Sequence, residues 1–378
     1  MRTAGIICEY NPFHAGHRLQ LQETRRLLEE DCAVVCLMSG NYVQRGEPAI
    51  WPKHLRAEAA VRNGADLVLE LPTTAAVNAA GYFASGGIRY LSLLGIIDVV
   101  SFGSECGEIP PLLQIAELLN STQMENAIHQ ELASGCSFAA ARSRALSRSG
   151  ADGSLIEAPN NALAVEYLRE LLRTGSGIQP ITVRRNPEIP SASSLRTQTE
   201  TAEYFRFVPE HELYRNVPTH TFSAGERAML AVLRTLPDTA FQEMPFGSEG
   251  LWSLVMKESR RQPGISQILE ACKSKRYAYT RLRRMLLCLF LGLSQQNLQM
   301  KAPYLRVLAF NERGRELLHT AGKHSEIPLV SGAIPRDPVS QAYFSLESRA
   351  ADLYDLFSTG DFRTHPNQER AAHPVYVR

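Results

Sequence analysis

The sequence predicts an α/β fold: a parallel sheet covered by helices in the first half, followed by a mainly α-helical second half. Two observations predict it. Short continuous apolar runs at residues 4–8, 33–38, 66–71 and 98–102 alternate with helical patterns, as strands buried on both faces of a parallel sheet do. After about residue 200 strand signals fade, and 221–233, 250–257, 264–273 and 278–293 all carry helical patterning.

Taken in order, the first strand at 4–8 leads to a helix at 19–30, where Leu19, Leu21, Leu27 and Leu28 stand among charges. The second strand at 33–38 precedes an alanine-rich helix at 55–63, and the third at 66–71 precedes a helix at 79–94 and the strand at 98–102. Helices follow at 111–119, 137–147 and 161–173, then a strand at 180–185. Residues 186–194 hold two prolines and three serines, so they form a loop, with a short helix beginning near Ser193 or Ser194 under a serine cap. The boundary falls between 200 and 222, and the chain divides into a unit of 1–205 and a mainly helical unit of 206–378.

Forty basic residues against 39 acidic leave a net charge of +1. That argues against coating nucleic acid by bulk charge and leaves room for a local basic patch. The seven cysteines are scattered with no C-x-x-C pair, so neither a zinc site nor a redox motif is signalled. No leader precedes the first strand, and the longest apolar run, 285–291, is far shorter than the ~20 residues of a membrane span. These features predict a soluble, cytoplasmic protein.

The loop after the first strand carries the chemistry. Neither G-x-G-x-x-G nor G-x-x-x-x-G-K-[ST] is there. Instead Cys8-Glu9-Tyr10-Asn11-Pro12-Phe13 runs into His14-Ala15-Gly16-His17, where a helix starts. Two imidazoles three residues apart share one face of that helix, and its N-terminus favours anions. Gly16 would let a nucleotide approach, and Pro12 would fix the loop. A helix cap and a satisfied surface histidine would explain an isolated H-x-G-H, and zinc would need a third ligand that no suitable spacing supplies. The position directly after the first strand favours a triphosphate site.

A second candidate is Pro190-Ser191-Ala192-Ser193-Ser194-Leu195-Arg196. Its hydroxyls suit phosphate oxygens and Arg196 suits a leaving pyrophosphate; a serine-rich loop with a capped helix reads the same way. Gly103 follows the fourth strand at its C-terminal end, where ligands of open α/β sheets bind, or is an ordinary turn glycine. Of Arg45, Lys53 and Arg56, at least one is expected to contact substrate. Of Asn160 and Asn161, one suits a helix N-cap and the other the nucleotide. Lys273, Lys275, Arg276, Arg281, Arg283 and Arg284, with Tyr277 and Tyr279 and no acid among them, suit RNA phosphates and base stacking, or else form a solvated helix face.

His14-Ala15-Gly16-His17 resembles the HxGH signature of the nucleotidyltransferase superfamily, and the serine loop resembles its second signature, which implies a Rossmann-like fold. Further runs, among them Met38-Ser39-Gly40-Asn41-Tyr42-Val43-Gln44-Arg45-Gly46-Glu47-Pro48-Ala49, Asp66-Leu67-Val68-Leu69-Glu70-Leu71-Pro72 and Leu305-Arg306-Val307-Leu308, resemble the bacterial tRNA(Met) cytidine acetate ligase family over nearly the whole chain. The resemblance implies a ligase that joins acetate to ATP as acetyl-adenylate, then passes the acetyl group to N4 of the wobble cytidine of elongator tRNA(Met), giving N4-acetylcytidine. It implies ATP contacts at Ile7, Cys8, Glu9, Tyr10, Asn11, Pro12, Phe13, His14, Ala15, Gly16, His17, Arg18, Leu19 and Gln20, at Gly103, at Asn160 or Asn161, and at Arg184 or Arg185. His14 and His17 would stabilise the triphosphate; Ser193, Ser194 and Arg196 would hold its β and γ phosphates. Magnesium is an expected helper, with no residue assigned to a metal. The serine loop departs from the family's Ser-Ala-Thr-Ala-Ile-Arg but keeps a hydroxyl at Ser193. The rival readings are a cofactor-type nucleotidyltransferase acting on a small phosphorylated substrate, which leaves the helical half without a role, and a non-catalytic RNA-binding protein, which leaves the paired phosphate signatures without one. Oligomeric state is left open.

Overall fold

The computed structural model describes every residue except 30, 275 and 361–365. β1 (Arg2–Cys8) turns at His14 into α1 (Ala15–Leu27). β2 (Cys32–Ser39) is followed by a small hairpin of β3 (Tyr42–Val43) and β4 (Glu47–Pro48), by α2 (Lys53–Arg62) and by β5 (Leu67–Leu71). Then come α3 (Thr73–Ala76), α4 (Ala80–Leu93), β6 (Val99–Ser104), α5 (Ile109–Leu119), α6 (Thr122–Ala133), α7 (Phe138–Arg148), α8 (Pro159–Thr174) and β7 (Gln179–Arg184). A helical stretch contains α9 (Ala192–Arg196), α10 (Ala202–Phe207), α11 (Glu226–Thr235), α12 (Asp238–Gln242), α13 (Leu251–Arg261), α14 (Ile265–Cys272), α15 (Tyr279–Leu291) and α16 (Gln295–Gln299). The remainder is β8 (Leu305–Phe310), α17 (Glu312–His324), β9 (Leu329–Val330), α18 (Pro338–Tyr354), α19 (Gln368–Ala371) and β10 (Val375–Tyr376).

The main sheet runs β10-β8-β5-β2-β1-β6-β7, with β9 beside β8. Its pairs from β5 through β2, β1 and β6 to β7 are parallel. The apolar runs make these strands: every residue of β2 and β5 is buried, so both faces need cover. One face packs against α4, α5 and α8, the other against α1 and α2.

The second half is not purely helical. β8 joins β5 antiparallel, with a register shift between Val68 and Leu69. Its signal is interrupted by Arg306, which is nonetheless buried because Glu369 pairs with it at 3.1 Å. A cut at 205/206 therefore divides the chain but also divides the sheet.

A third core gathers α11, α13, α14, α15 and α18. The β3–β4 hairpin plugs into it: Tyr42 donates to the Ala350 carbonyl at 3.0 Å, and Tyr354 to that of Ala49 at 2.7 Å. At the hairpin tip Gly46 has φ +75°, and a Cβ there would lie 2.5 Å from the Arg284 nitrogen. Glycine thus lets the hairpin touch the start of α15.

Candidate active site

Strand order reverses at β1, which has β2 on one side and β6 on the other. A crevice at the C-terminal ends of such strands is the usual ligand site of open α/β sheets. Here α1 starts. His14 is its N-cap, in extended conformation, and its Nδ1 accepts from Gly16 N–H at 3.0 Å. His17 Nδ1 accepts from His14 N–H at 3.2 Å. With both Nδ1 atoms accepting, each neutral imidazole carries its proton on Nε2.

Burial keeps the rings neutral. Desolvation, aided by the Arg185 charge, brings His14 down to about 4. Desolvation and the His14 neighbour hold His17 well below the usual histidine range. The rings lie 3.8 Å apart, tilted by 31°. Nδ1 of His14 thus serves as the helix cap, and Nε2 of the same ring is left as its donor. Gly16 serves the ring as much as a ligand: a Cβ would meet His14 Cε1 at 2.8 Å.

The serine loop faces this turn. The cap of α9 is Ser191, two or three residues earlier than expected, accepting from Ser194 N–H at 3.2 Å. Ser193 Oγ therefore remains beside the Arg196 and Arg45 guanidiniums, at 3.2 and 3.5 Å. Ser194 does not line the crevice; its Oγ accepts from Gln198 at 3.4 Å. Arg196 is held by the Asn11 carbonyl at 2.8 Å and Glu47 at 3.2 Å.

Together these groups line a cleft of about 480 Å³, which continues into a second of about 410 Å³ walled by Phe83, Phe102, Leu163 and Tyr167. Glu9, His17, Gln20, Gly103, Asn160 and Arg196 border both. In the first, Arg45, Arg184, Arg185 and Arg196 face the carboxylates of Glu9 and Glu47, a surplus that suits a polyanion. Burial pushes Glu9 up, although Gln44 N–H donates to it at 2.7 Å.

Ile7, Cys8, Tyr10, Asn11, His14, Gly16 and Leu19 also border one or both clefts; Pro12, Phe13, Ala15 and Arg18 do not. Phe13 lies in the core and Arg18 is exposed. Asn11 Nδ2 is buried without a hydrogen-bond partner among the described residues. The asparagine pair separates. Asn160 lines the clefts, whereas Asn161 is buried and accepts from Glu105 and Cys106 N–H at 2.8 and 3.2 Å. Neither is the N-cap of α8, which is Ala158. Glu105 instead receives the N–H groups of both asparagines, at 3.3 and 2.8 Å, a contact across some fifty residues that local patterning does not reveal. Arg184 and Arg185 both line the first cleft. Of the other expected cations only Arg45 reaches it. Lys53 lies between Glu70 and Glu369, at 2.7 and 2.8 Å. Arg56 is fully buried against the Trp51 and Ser39 carbonyls, at 2.9 and 3.2 Å.

The HIGH Nucleotidyl Transferase family profile matches residues 1–370. A tRNA(Met) cytidine acetate ligase of Acetivibrio thermocellus is 35% identical, over 94% of each chain. The chain belongs to the tRNA(Met) cytidine acetate ligase family. Another member, from Clostridium perfringens, is 34% identical over 95% of this chain and 96% of its own. The crystal structure of Thermotoga maritima TmcAL bound with alpha-thio ATP superposes with a TM-score of 0.91 at 30% identity, covering all of both chains.

The basic segment of this family member is less open than its sequence suggests. Arg284 is buried, donates to the Gln44 carbonyl at 3.2 Å and is lowered to about 10 by desolvation; it is not a free cation for RNA. Arg281 pairs with Glu249 at 2.9 Å, and Arg283 with Glu47 at 2.6 Å. The sequence shows no acid in the segment because both acids come from elsewhere in the chain. Lys273 and Arg276 remain exposed, Arg276 with Glu249 at 3.6 Å; Lys275 lies outside the described residues.

Proposed function

We propose that this protein is an ATP-dependent ligase that activates acetate as acetyl-adenylate and transfers the acetyl group to N4 of a tRNA cytidine, the wobble cytidine of elongator tRNA(Met). The observation that carries the reading is the convergence of the His14–His17 turn and the Ser193–Arg196 segment on one crevice in a member of the acetate ligase family.

In the first step an acetate oxygen bonds to the α-phosphorus of ATP and the bond to the bridging α–β oxygen breaks, releasing pyrophosphate. Acetate is ionised at neutral pH and needs no base. The Nε2–H groups of His14 and His17 donate to phosphate oxygens as charge builds there. Ser193, Arg196 and Arg45 hold the departing β and γ phosphates. In the second step the cytidine amine attacks the acetyl carbonyl, the bond from that carbon to the adenylate phosphate oxygen breaks to release AMP, and the proton lost by the amine passes to water. The apolar wall of Phe83, Phe102 and Tyr167 fits a planar base.

Magnesium would arrive on the triphosphate. Among the described residues no group of three or more His, Cys, Asp or Glu side chains could hold a metal ion by itself, so phosphate oxygens and water would supply most of its ligands. The nucleotide-binding unit is residues 1–205 together with the sheet segment around β8; the mainly helical unit of 206–378 contributes to the side that meets RNA. No helix among the described residues is long and apolar enough to cross a membrane, and a tRNA substrate supports a cytoplasmic enzyme.

The test is incorporation of labelled pyrophosphate into ATP with acetate and no RNA, followed by transfer of label from acetate to tRNA. Acetate-dependent exchange followed by transfer is the expected result. Absence of exchange with any carboxylate, with AMP passed instead to a small phosphorylated acceptor, would leave the cofactor-type nucleotidyltransferase reading standing.

A further inference from the structure

A third opening, of about 730 Å³, lies between α4 and the α15–α16 region. Its charged lining is Arg89, Arg281, Arg284 and Lys301 against the single carboxylate of Glu249. In a chain of net charge +1 this is a local surplus, and nothing in the adenylation chemistry uses it. Arg281 is already paired with Glu249 and Arg284 is buried. Arg89 has no ion-pair partner among the described residues, and its Nε is buried without a hydrogen bond; Lys301 is exposed. At the rim stands Tyr82, 69% exposed, a large aromatic in a place where burial does not explain it.

The groove adjoins the reaction cleft. Ala80 and Phe83 line the cleft while Ala79 and Tyr82 line the groove, so the start of α4 is their common wall. A second link is Arg284, which borders the groove and donates to the carbonyl of Gln44, a cleft residue.

We propose that this groove binds the unpaired nucleotides flanking the target cytidine, with Tyr82 stacking on a neighbouring base and Arg89 and Lys301 neutralising adjacent phosphates. The proposal rests on the ligase reading and adds where the acceptor strand runs. A cytidine inside the cleft has to be fed by a strand that passes one of its walls. The groove along the α4 wall brings together two cations without ion-pair partners among the described residues, Arg89 and Lys301, and the aromatic face of Tyr82, the two features that single-stranded RNA grooves combine. A fully paired stem offers no base face to Tyr82, so the groove discriminates loop from duplex.

The experiment is an anisotropy titration of the full-length protein with a labelled RNA hairpin whose loop carries an unpaired cytidine, beside a fully paired duplex of the same stem. Tyr82→Ala should weaken hairpin binding about tenfold and leave duplex binding unchanged, with Tyr82→Phe restoring it. Arg89→Gln and Lys301→Ala should each reduce the salt slope of hairpin binding by about one. Acetate-dependent pyrophosphate exchange, measured without RNA on the same variants, should match the wild type and reports folding independently. Hairpin affinity within about twofold of wild type in Tyr82→Ala, Arg89→Gln and Lys301→Ala alike, or an equal loss on the duplex, would overturn the groove. Absence of exchange in the wild type would instead remove the ligase reading, while the hairpin titrations still decide the groove.

Discussion

Arg283 meets Glu47 at 2.6 Å although 236 positions separate them, and the other Glu47 oxygen lies 3.2 Å from Arg196. One carboxylate therefore ties the basic segment of the helical half to the serine loop of the cleft beside α1. Glu47→Gln should loosen Arg196 and raise the KM for ATP about tenfold in the exchange assay. A double-mutant cycle with Arg283→Met should show a coupling of about 0.5–3 kcal/mol in stability; an additive cycle would mean that Glu47 and Arg283 contribute independently.

The two roles of the α1 turn can be separated. His14→Asn keeps a capping side chain but removes the Nε2 donor, so exchange should fall by about 10²–10³ with little loss of stability. His14→Ala should lose the same activity and a further ~1 kcal/mol of stability. Full exchange activity in His14→Asn would show that the ring serves only as a cap.

The adjacent asparagines should differ in kind. Asn161→Ala removes the acceptor of two N–H groups in a buried setting and should cost about 1–3 kcal/mol in urea unfolding. Asn160→Ala should leave the unfolding midpoint nearly unchanged and raise the KM for ATP. Equal effects of the two on both measurements would contradict this division.

Stability should carry a histidine signature in acid. Desolvation lowers His14, His54 and His220 each to about 4, below the unfolded value of about 6.5. The unfolded chain then binds more protons in this window, so their contribution is full above about pH 6.5 and is lost as pH falls towards about 4. Glu70, raised to about 7 chiefly by burial, titrates in the opposite sense over part of the range. The readout is therefore a difference: the pH slope of stability between 4.5 and 6.5 should be smaller by up to about one proton in His54→Asn than in the wild type. An unchanged slope would mean His54 titrates alike in both states.

Much of the first half was legible in the sequence because its signals are local. The continuous apolar runs of β2 and β5 require burial on both faces, and a histidine turn directly after β1 places imidazoles at a helix start whatever the rest of the chain does. The family match extends over residues 1–370. Tertiary structure alone decided what depended on distant partners. β8 was hidden by Arg306, a charge that the sheet accepts only because Glu369 lies beside it. Lys53 and Arg56 were drawn inward by acceptors unseen from their neighbours. The basic segment lost half its apparent charge to Glu47 and Glu249 and to the burial of Arg284. The H-x-G-H turn itself was fixed by sequence; which nitrogen each ring offers to a ligand was fixed by backbone N–H groups that bind the other one.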